Sequence, residues 1–218
     1  FVRRLSAAAT TAALILTTAC GVTVEGSPTA SSEGRVEYRK QALEASDPLT
    51  QSVFDIITDI DMFWEDTAGI GKGDIRFNLG MYDSSKTSAL PNCHGEPFVV
   101  AGYCNNRTGT DVLMWDRSAF ETLRAAAGDV SLTLILAHEY GHALQDFAGK
   151  LVGNRFRGVQ ADCLAGAYFV NTEPVGSEDL TRALVLSPYA TDAARMSAFM
   201  AGFAPVKDKL EHCLSYEG

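Results

Sequence analysis

Two histidines and one glutamate on a short stretch of chain form the strongest candidate site in this 218-residue sequence. His138 and His142 lie four residues apart in the motif His138-Glu139-Tyr140-Gly141-His142, so on a helix their imidazoles project from one face, one turn apart. That spacing suits two ligands of a tetrahedral Zn²⁺. Glu139 is then placed to take a proton from the zinc-bound water, whose pKa zinc lowers to about 7, as the water attacks a carbonyl. The motif therefore predicts zinc-dependent hydrolysis.

The residues around the motif predict the helix that carries it. Ser131 is expected to cap a mostly apolar helix that runs to Phe147 or Ala148 and stops at Gly149. A following helix is predicted from about Val159 to Asn171, and Gly141 leaves room for another helix to cross close to the motif.

Other elements follow from hydrophobic periodicity and turn residues. The remaining predicted helices are Pro48–Asp66, Ser118–Ala127, one opened by Ser177, and Thr191–Phe203, and the strand candidates are Ile75–Leu79, Phe98–Tyr103 and Val112–Trp115. Val112–Trp115 is either an edge strand on which an extended peptide could lie or an ordinary core strand. The pattern predicts one α+β domain over residues 38–218, mainly helical with a small β-sheet.

A catalytic zinc also needs a third protein ligand, and the candidate segment is Gly158-Val159-Gln160-Ala161-Asp162-Cys163-Leu164-Ala165-Gly166. Because of this segment and the His138–His142 motif, the chain resembles the neutral zinc metallopeptidase family of bacteria. The resemblance covers roughly Pro48 to Cys213 and rests further on the Trp-bearing first helix, Cys93 with Tyr103-Cys104, and Arg195 with Phe199 and Gly202-Phe203. It implies a zincin-like fold, a Zn²⁺ cofactor and a peptide or protein substrate.

One position departs from the family pattern. The family carries Glu-x-x-x-Asp here, which implies the Glu as third ligand and the Asp as a hydrogen-bond partner of a ligand histidine. Gly158 replaces the Glu and cannot bind a metal. Asp162 then has three interpretations: it is the third ligand, it supports a ligand histidine, or it is a structural buried carboxylate. Gly158 also favours an alternative function, a non-catalytic cell-envelope binding lipoprotein with a degenerate peptidase fold.

The N-terminus resembles an export signal. Arg3 and Arg4 precede a short apolar stretch, Leu5 to Thr18, and a small residue stands directly before Cys20. We expect residues 1–19 to be a signal peptide, Cys20 to carry a lipid anchor to the membrane, and residues 20–37 to be a flexible tether. Ordinary cleavage, with Cys20 incidental, is the alternative.

The other four cysteines are then expected to form disulfides, because the extracytoplasmic compartment is oxidising. Cys93 and Cys104 flank a short segment and would close a small loop, which leaves Cys163 to tie a helix to Cys213 in the C-terminal tail. Three connectivities are possible for four cysteines, and this is the predicted one.

Charge and composition limit the partners. The formal net charge of −9 would repel phosphate backbones, so nucleic acid is not expected as a partner. Four histidines in the chain are too few for a zinc-scavenging surface protein. Outside the motif, His94 is expected to be a loop residue, His212 to lie at the surface or to line the cleft, and Asp146 to lie at a solvated helix end. The hydroxyls of Tyr140 and Tyr168 are candidates to stabilise an oxyanion or are simply packed.

Overall fold

A computed structural model describes residues 47–106, 109–151, 153–170, 177–187 and 191–218. The predicted signal peptide (1–19), the predicted tether (20–37) and Cys20 lie outside the described residues. Within the described residues, no helix is both long and apolar enough to cross a membrane.

The described chain combines helices with a small amount of β-sheet, as the α+β prediction requires. The helices are α1 (Pro48–Ala68), α2 (Arg117–Ala127), α3 (Asp129–Phe147), α4 (Arg157–Phe169), α5 (Ser177–Leu186), α6 (Ala193–Ala201) and α7 (Lys209–Leu214). The strands are β1 (Asn78–Tyr82), β2 (Asn92–Cys93), β3 (Glu96–Pro97), β4 (Ala101–Cys104) and β5 (Val112–Asp116). Helix α7 and the β2–β3 pair were not predicted, and β1 begins three residues later than the predicted strand at Ile75.

Helix α3, which carries the candidate motif, lies at the centre of the core. It packs against α1, α2, α4, α5 and β4. Its apolar side chains are almost all buried, among them Leu132, Leu134, Leu136 and Leu144. A helix that is apolar on nearly every face is stable only inside a protein, so its position follows from its composition.

The start of α3 differs from the prediction. The helix begins at Asp129 after Gly128, which has a φ of 68° and provides no side-chain cap. Ser131 lies inside the first turn and donates its hydroxyl to the Gly128 carbonyl at 2.7 Å, so it does not cap the helix.

The larger sheet has three strands in the order β1-β5-β4. Strand β5 pairs parallel with β1 and antiparallel with β4. The two inward side chains of β5, Leu113 and Trp115, are fully buried, so Val112–Trp115 belongs to the central strand and is not the edge. The edge beside α3 is β4 instead.

Helices α4 and α6 cross at unusually short range because two glycines face each other's backbones. A Cβ on Gly166 would lie 1.9 Å from the Phe199 carbonyl oxygen, and one on Gly202 would lie 2.2 Å from the Cys163 carbonyl oxygen. No side chain fits at either position without moving the other helix. The crossing brings Arg195, on α6, against the face of α4 that carries Asp162.

Both predicted disulfides are formed. Cys93 and Cys104 join β2 to β4, and Cys163 and Cys213 join α4 to α7. The second disulfide is fully buried. It fixes the C-terminal helix against α4, so the prediction that the tail is tied to a core helix is confirmed.

Candidate metal centre

The first histidine of the motif is held by a buried carboxylate. His138 is only 9% exposed, and its Nδ1 lies 2.7 Å from Oδ1 of Asp162. A carboxylate can only accept a hydrogen bond, so Nδ1 carries the proton. In the neutral ring Nε2 is then the nitrogen with the lone pair, the one that binds a metal.

Asp162 is engaged through both of its oxygens. Arg195 donates from Nε to Oδ2 at 2.8 Å and from a terminal nitrogen to Oδ1 at 2.9 Å, and the Asp162 side chain is 0% exposed. Burial raises the pKa of Asp162, but the hydrogen bonds from His138 and Arg195 outweigh burial and lower the pKa below its ordinary value. The carboxylate is therefore a charged partner of His138 and Arg195.

The second histidine is held in the same way by an amide. His142 Nδ1 lies 2.8 Å from Oε1 of Gln145, which is fully buried. The Gln145 amide nitrogen donates onward to the Arg157 carbonyl at 2.9 Å and to Oε1 of Gln160 at 3.1 Å. With its nitrogen spent as a donor, the amide presents its oxygen to the ring, which places the proton of His142 on Nδ1.

Burial keeps His142 neutral. Burial, with the repulsive influence of His138, lowers the pKa of His142 to about 4, against a smaller opposing influence of Glu139 and of the hydrogen bond to Gln145. The two rings of the motif are 4.8 Å apart between centroids, at an interplanar angle of 82°. A neutral imidazole is the form that binds a metal, so at neutral pH this ring needs no deprotonation to do so.

Helix α4 lies close against the motif. A Cβ on Gly141 would be 3.0 Å from Cα of Ala161, so the glycine between the two histidines permits the close approach, as the sequence predicted. Gly158 differs: a Cβ there would meet no atom within 4 Å. The chain thus has room for a side chain at the position where the predicted resemblance implies a glutamate.

Glu139 reaches the edge strand of the sheet. Its Oε2 accepts a hydrogen bond of 2.8 Å from the backbone N–H of Tyr103 on β4. In an antiparallel pair, alternate residues turn their peptide groups away from the partner strand, and Val100, three residues earlier, accepts from Asp116 of β5. The peptide groups of Ala101 and Tyr103 therefore face away from β5, on the side where Glu139 lies.

Three other candidate side chains have structural partners. The Tyr140 hydroxyl donates to Asp61 and the Tyr168 hydroxyl donates to Asp59, both on α1, so neither tyrosine is directed at the motif to stabilise an oxyanion. Asp146 is not a solvated helix end, because it accepts a hydrogen bond of 3.0 Å from the Tyr103 hydroxyl. That bond ties α3 to β4 one turn beyond His142.

One group of three donor atoms, all within 4.8 Å of one another, occurs among the described residues, and it lies away from the motif. It consists of Cys93, His94 and Cys104. The two sulfurs are joined in a disulfide, and a thiolate is the form that binds metal, so the oxidised protein has no metal site there. The Nε2 of His94 instead lies 2.8 Å from the Asn105 carbonyl oxygen.

Sequence reasoning missed the contacts of three groups around the motif: the side chains of Gln145 and Arg195 and the backbone N–H of Tyr103. Gln145 carries a signal in the sequence: it is a polar residue three positions after His142 on a mostly apolar helix. Arg195 enters the sequence argument only as part of the resemblance, since its contact with Asp162 spans 33 residues. The Tyr103 N–H has no signal in the sequence, because every residue except proline has a backbone N–H.

Comparison with protein-family models, with curated proteins and with solved structures finds no match to this chain. The resemblance to the zinc metallopeptidase family therefore stays a prediction that rests on the motifs.

Proposed function

We propose that this protein is a zincin-like, zinc-dependent peptidase in which His138 and His142 bind the metal and Glu139 is the general base. The observation that carries the proposal is the pair of hydrogen bonds at Nδ1 of the two histidines. Asp162 holds one ring at 2.7 Å and Gln145 holds the other at 2.8 Å, which fixes both tautomers with Nε2 as the ligand nitrogen. Buried acceptors of this kind are the usual outer partners of metal-binding histidines.

The two histidines fit Zn²⁺, since neutral imidazole nitrogens are among its preferred ligands. When bound, zinc would act as a Lewis acid that polarises a carbonyl and makes water more acidic. Glu139 would accept the proton of the attacking water and pass it to the leaving amine. The Tyr103 N–H, which binds Oε2, supports the negative charge of Glu139 and orients the carboxylate.

Asp162 takes a supporting role in this proposal and is not the third ligand. Both of its oxygens already accept hydrogen bonds, and its charge is matched by Arg195. Of the three interpretations that the sequence left open, the hydrogen-bonded partner of a ligand histidine fits these contacts best. Arg195 would keep that carboxylate ionised and in place.

An extended peptide is the substrate class that suits the site. Strand β4 is an edge of the three-stranded sheet, and the peptide groups of Ala101 and Tyr103 face the side of Glu139. An exposed edge offers main-chain donors and acceptors to a further strand, so a peptide laid along β4 would pass beside the general base. Main-chain pairing would make recognition tolerant of side-chain sequence.

The second candidate function is a non-catalytic binding lipoprotein of the cell envelope. Gly158 is the observation that favours it, because the position that implies a third ligand has no side chain. For either function we propose an extracytoplasmic location with a lipid anchor at Cys20. The two disulfides agree with export.

The decisive experiment replaces Glu139 by Gln, which keeps the shape and the acceptor for the Tyr103 N–H but cannot take a proton. With an unfolded protein as substrate and zinc present, we expect Glu139→Gln to lose at least about 100-fold in kcat/KM while its zinc content is unchanged. Glu211→Gln is the matched control, since Glu211 forms an exposed ion pair with Lys150.

Two results would contradict the proposal. Activity in Glu139→Gln equal to that of the control would remove Glu139 as the base. A wild-type protein that binds zinc but cleaves no unfolded protein would establish the non-catalytic alternative.

A further inference from the structure

The first turn of α4 lies directly beside the second histidine. The carbonyl of Arg157 accepts from Gln145, and the oxygen of the same Gln145 amide holds His142. Gly158 follows Arg157, and Asp162 stands one turn later, where it contacts the first histidine of the motif. Residues four apart share one face of a helix, so position 158 lies on the face of α4 that carries Asp162.

That position has room but no donor. A Cβ on Gly158 would meet nothing within 4 Å, whereas one on Gly141 or Gly166 would meet backbone at 3.0 Å or less. Around His138 and His142, the described residues provide no third His, Cys, Asp or Glu atom that completes a group within 4.8 Å. The protein thus presents two histidine ligands and open space at position 158.

The charges of the site call for an anion there. The charge of Asp162 is matched by Arg195, and histidines bind a metal in their neutral form, so neither offsets the charge of a bound cation. Glu139 and Asp146 are the other carboxylates named near the motif, and neither completes a group of ligand atoms with the two histidines. Arg157 adds a positive charge immediately before Gly158. A divalent cation on the two histidines would have no negatively charged ligand grouped with them among the described residues, and it would favour an anionic third ligand.

We propose that a carboxylate from outside the chain, seated over Gly158, completes the metal centre. This inference rests on the proposed zinc site and names its missing ligand. Carboxylate oxygen is a common anionic ligand of catalytic zinc, and the open space at Gly158 would admit a carboxylate group. The source is either a small free acid or the C-terminal carboxylate of a peptide. Metal and carboxylate then bind cooperatively.

The test measures zinc affinity of the purified, oxidised protein by competition with a chelator of known affinity. Acetate is added against chloride at equal ionic strength. We expect acetate to tighten zinc binding by about tenfold or more in the wild type. Gly158→Glu should bind zinc at least about tenfold more tightly without acetate and should lose the response to it. Gly158→Gln is the isosteric control: it fills the room, gains no affinity and also loses the response.

A second arm identifies the source of the carboxylate. N-acetyl-trialanine and its C-terminal amide are compared at equal concentration. If the free-acid peptide tightens zinc binding much more than acetate does, the position belongs to a peptide terminus. If the free-acid peptide and acetate tighten zinc binding equally, the position belongs to small acids. Both results support the proposal, whereas tightening by the amide as strong as by the acid would overturn it.

The remaining outcomes separate this inference from the proposed function. Tight zinc binding in the wild type with no response to acetate or peptide, and no gain in Gly158→Glu, would show that the chain supplies its own third ligand. That result overturns the inference and leaves the zinc peptidase intact. No zinc binding by the wild type at any acetate concentration would overturn both.

Discussion

Replacing Arg195 by Met tests whether Asp162 is an ionised, buried carboxylate. Arg195 donates two hydrogen bonds to Asp162, at 2.8 and 2.9 Å, and His138 contributes the third contact at 2.7 Å. Methionine fills a similar volume on α6 without the charge. The variant therefore leaves a fully buried carboxylate with His138 as its main remaining partner.

The expected cost follows from the burial of the two partners. Removing one member of a buried ion pair costs about 3–5 kcal/mol, because the other charge stays buried without compensation. Since 25% of the Arg195 side chain is exposed and water reaches that side, we expect the lower end, about 3 kcal/mol. Asp162→Asn leaves a guanidinium that can turn to water, so it should cost about 1–2 kcal/mol. In the double variant the two losses should overlap by about 2 kcal/mol.

Urea unfolding of the metal-free, oxidised protein at pH 7 measures these differences. Arg182→Met is the matched control, since Arg182 pairs with Glu178 at the surface with half of its side chain exposed. Its loss should change the free energy of unfolding by about 0.5 kcal/mol or less. An Arg195→Met variant as stable as this control would refute the reasoning, because Asp162 would then not be held as a buried anion.

Four further outcomes are expected. Asp162→Asn should weaken zinc binding by about 10–100-fold in chelator competition, whereas loss of a direct ligand would cost several orders of magnitude. The pKa of His142 lies below that of an unfolded histidine, so its contribution to the free energy of unfolding is fully present above a pH of about 6.5 and is lost as the pH falls towards 4. The loss should reach up to about 3 kcal/mol relative to His142→Gln. An NMR titration of the His142 ring should give a midpoint near 4. Gly166→Ala should lower the free energy of unfolding by at least about 1 kcal/mol, since its Cβ would overlap a carbonyl of α6; unchanged stability would contradict the close crossing. Cys20→Ser should move the protein out of the membrane fraction, and unchanged partitioning would remove the lipid anchor.

The sequence alone predicted the features that depend on local spacing. Residues four apart on a helix share a face, so His138 and His142 could be paired before any fold was known. The helix around them is confirmed by the structure, and so is the need for a glycine at Gly141. The pairing of Cys163 with Cys213 was predictable for a different reason, since few connectivities exist for four cysteines.

Other assignments required the tertiary structure because they depend on which elements become neighbours. The periodicity of Val112–Trp115 indicates a strand but not its place in the sheet, and the structure puts it at the centre between β1 and β4. The sequence does not distinguish a tyrosine whose hydroxyl lines a cleft from one whose hydroxyl, like that of Tyr140, donates to a carboxylate such as Asp61.

The candidate metal site shows the same division between what local sequence determines and what packing determines. The types and spacing of His138, Glu139 and His142 determined which chemistry was possible. The hydrogen-bond partners of Asp162 were decided only by the close crossing of α4 and α6, which brings Arg195 onto it from 33 residues away. A carboxylate beside a metal site can bind the metal or orient a ligand, and which of these it does depends on where its other hydrogen bonds go. Those partners are set by packing between distant segments, which local sequence does not encode.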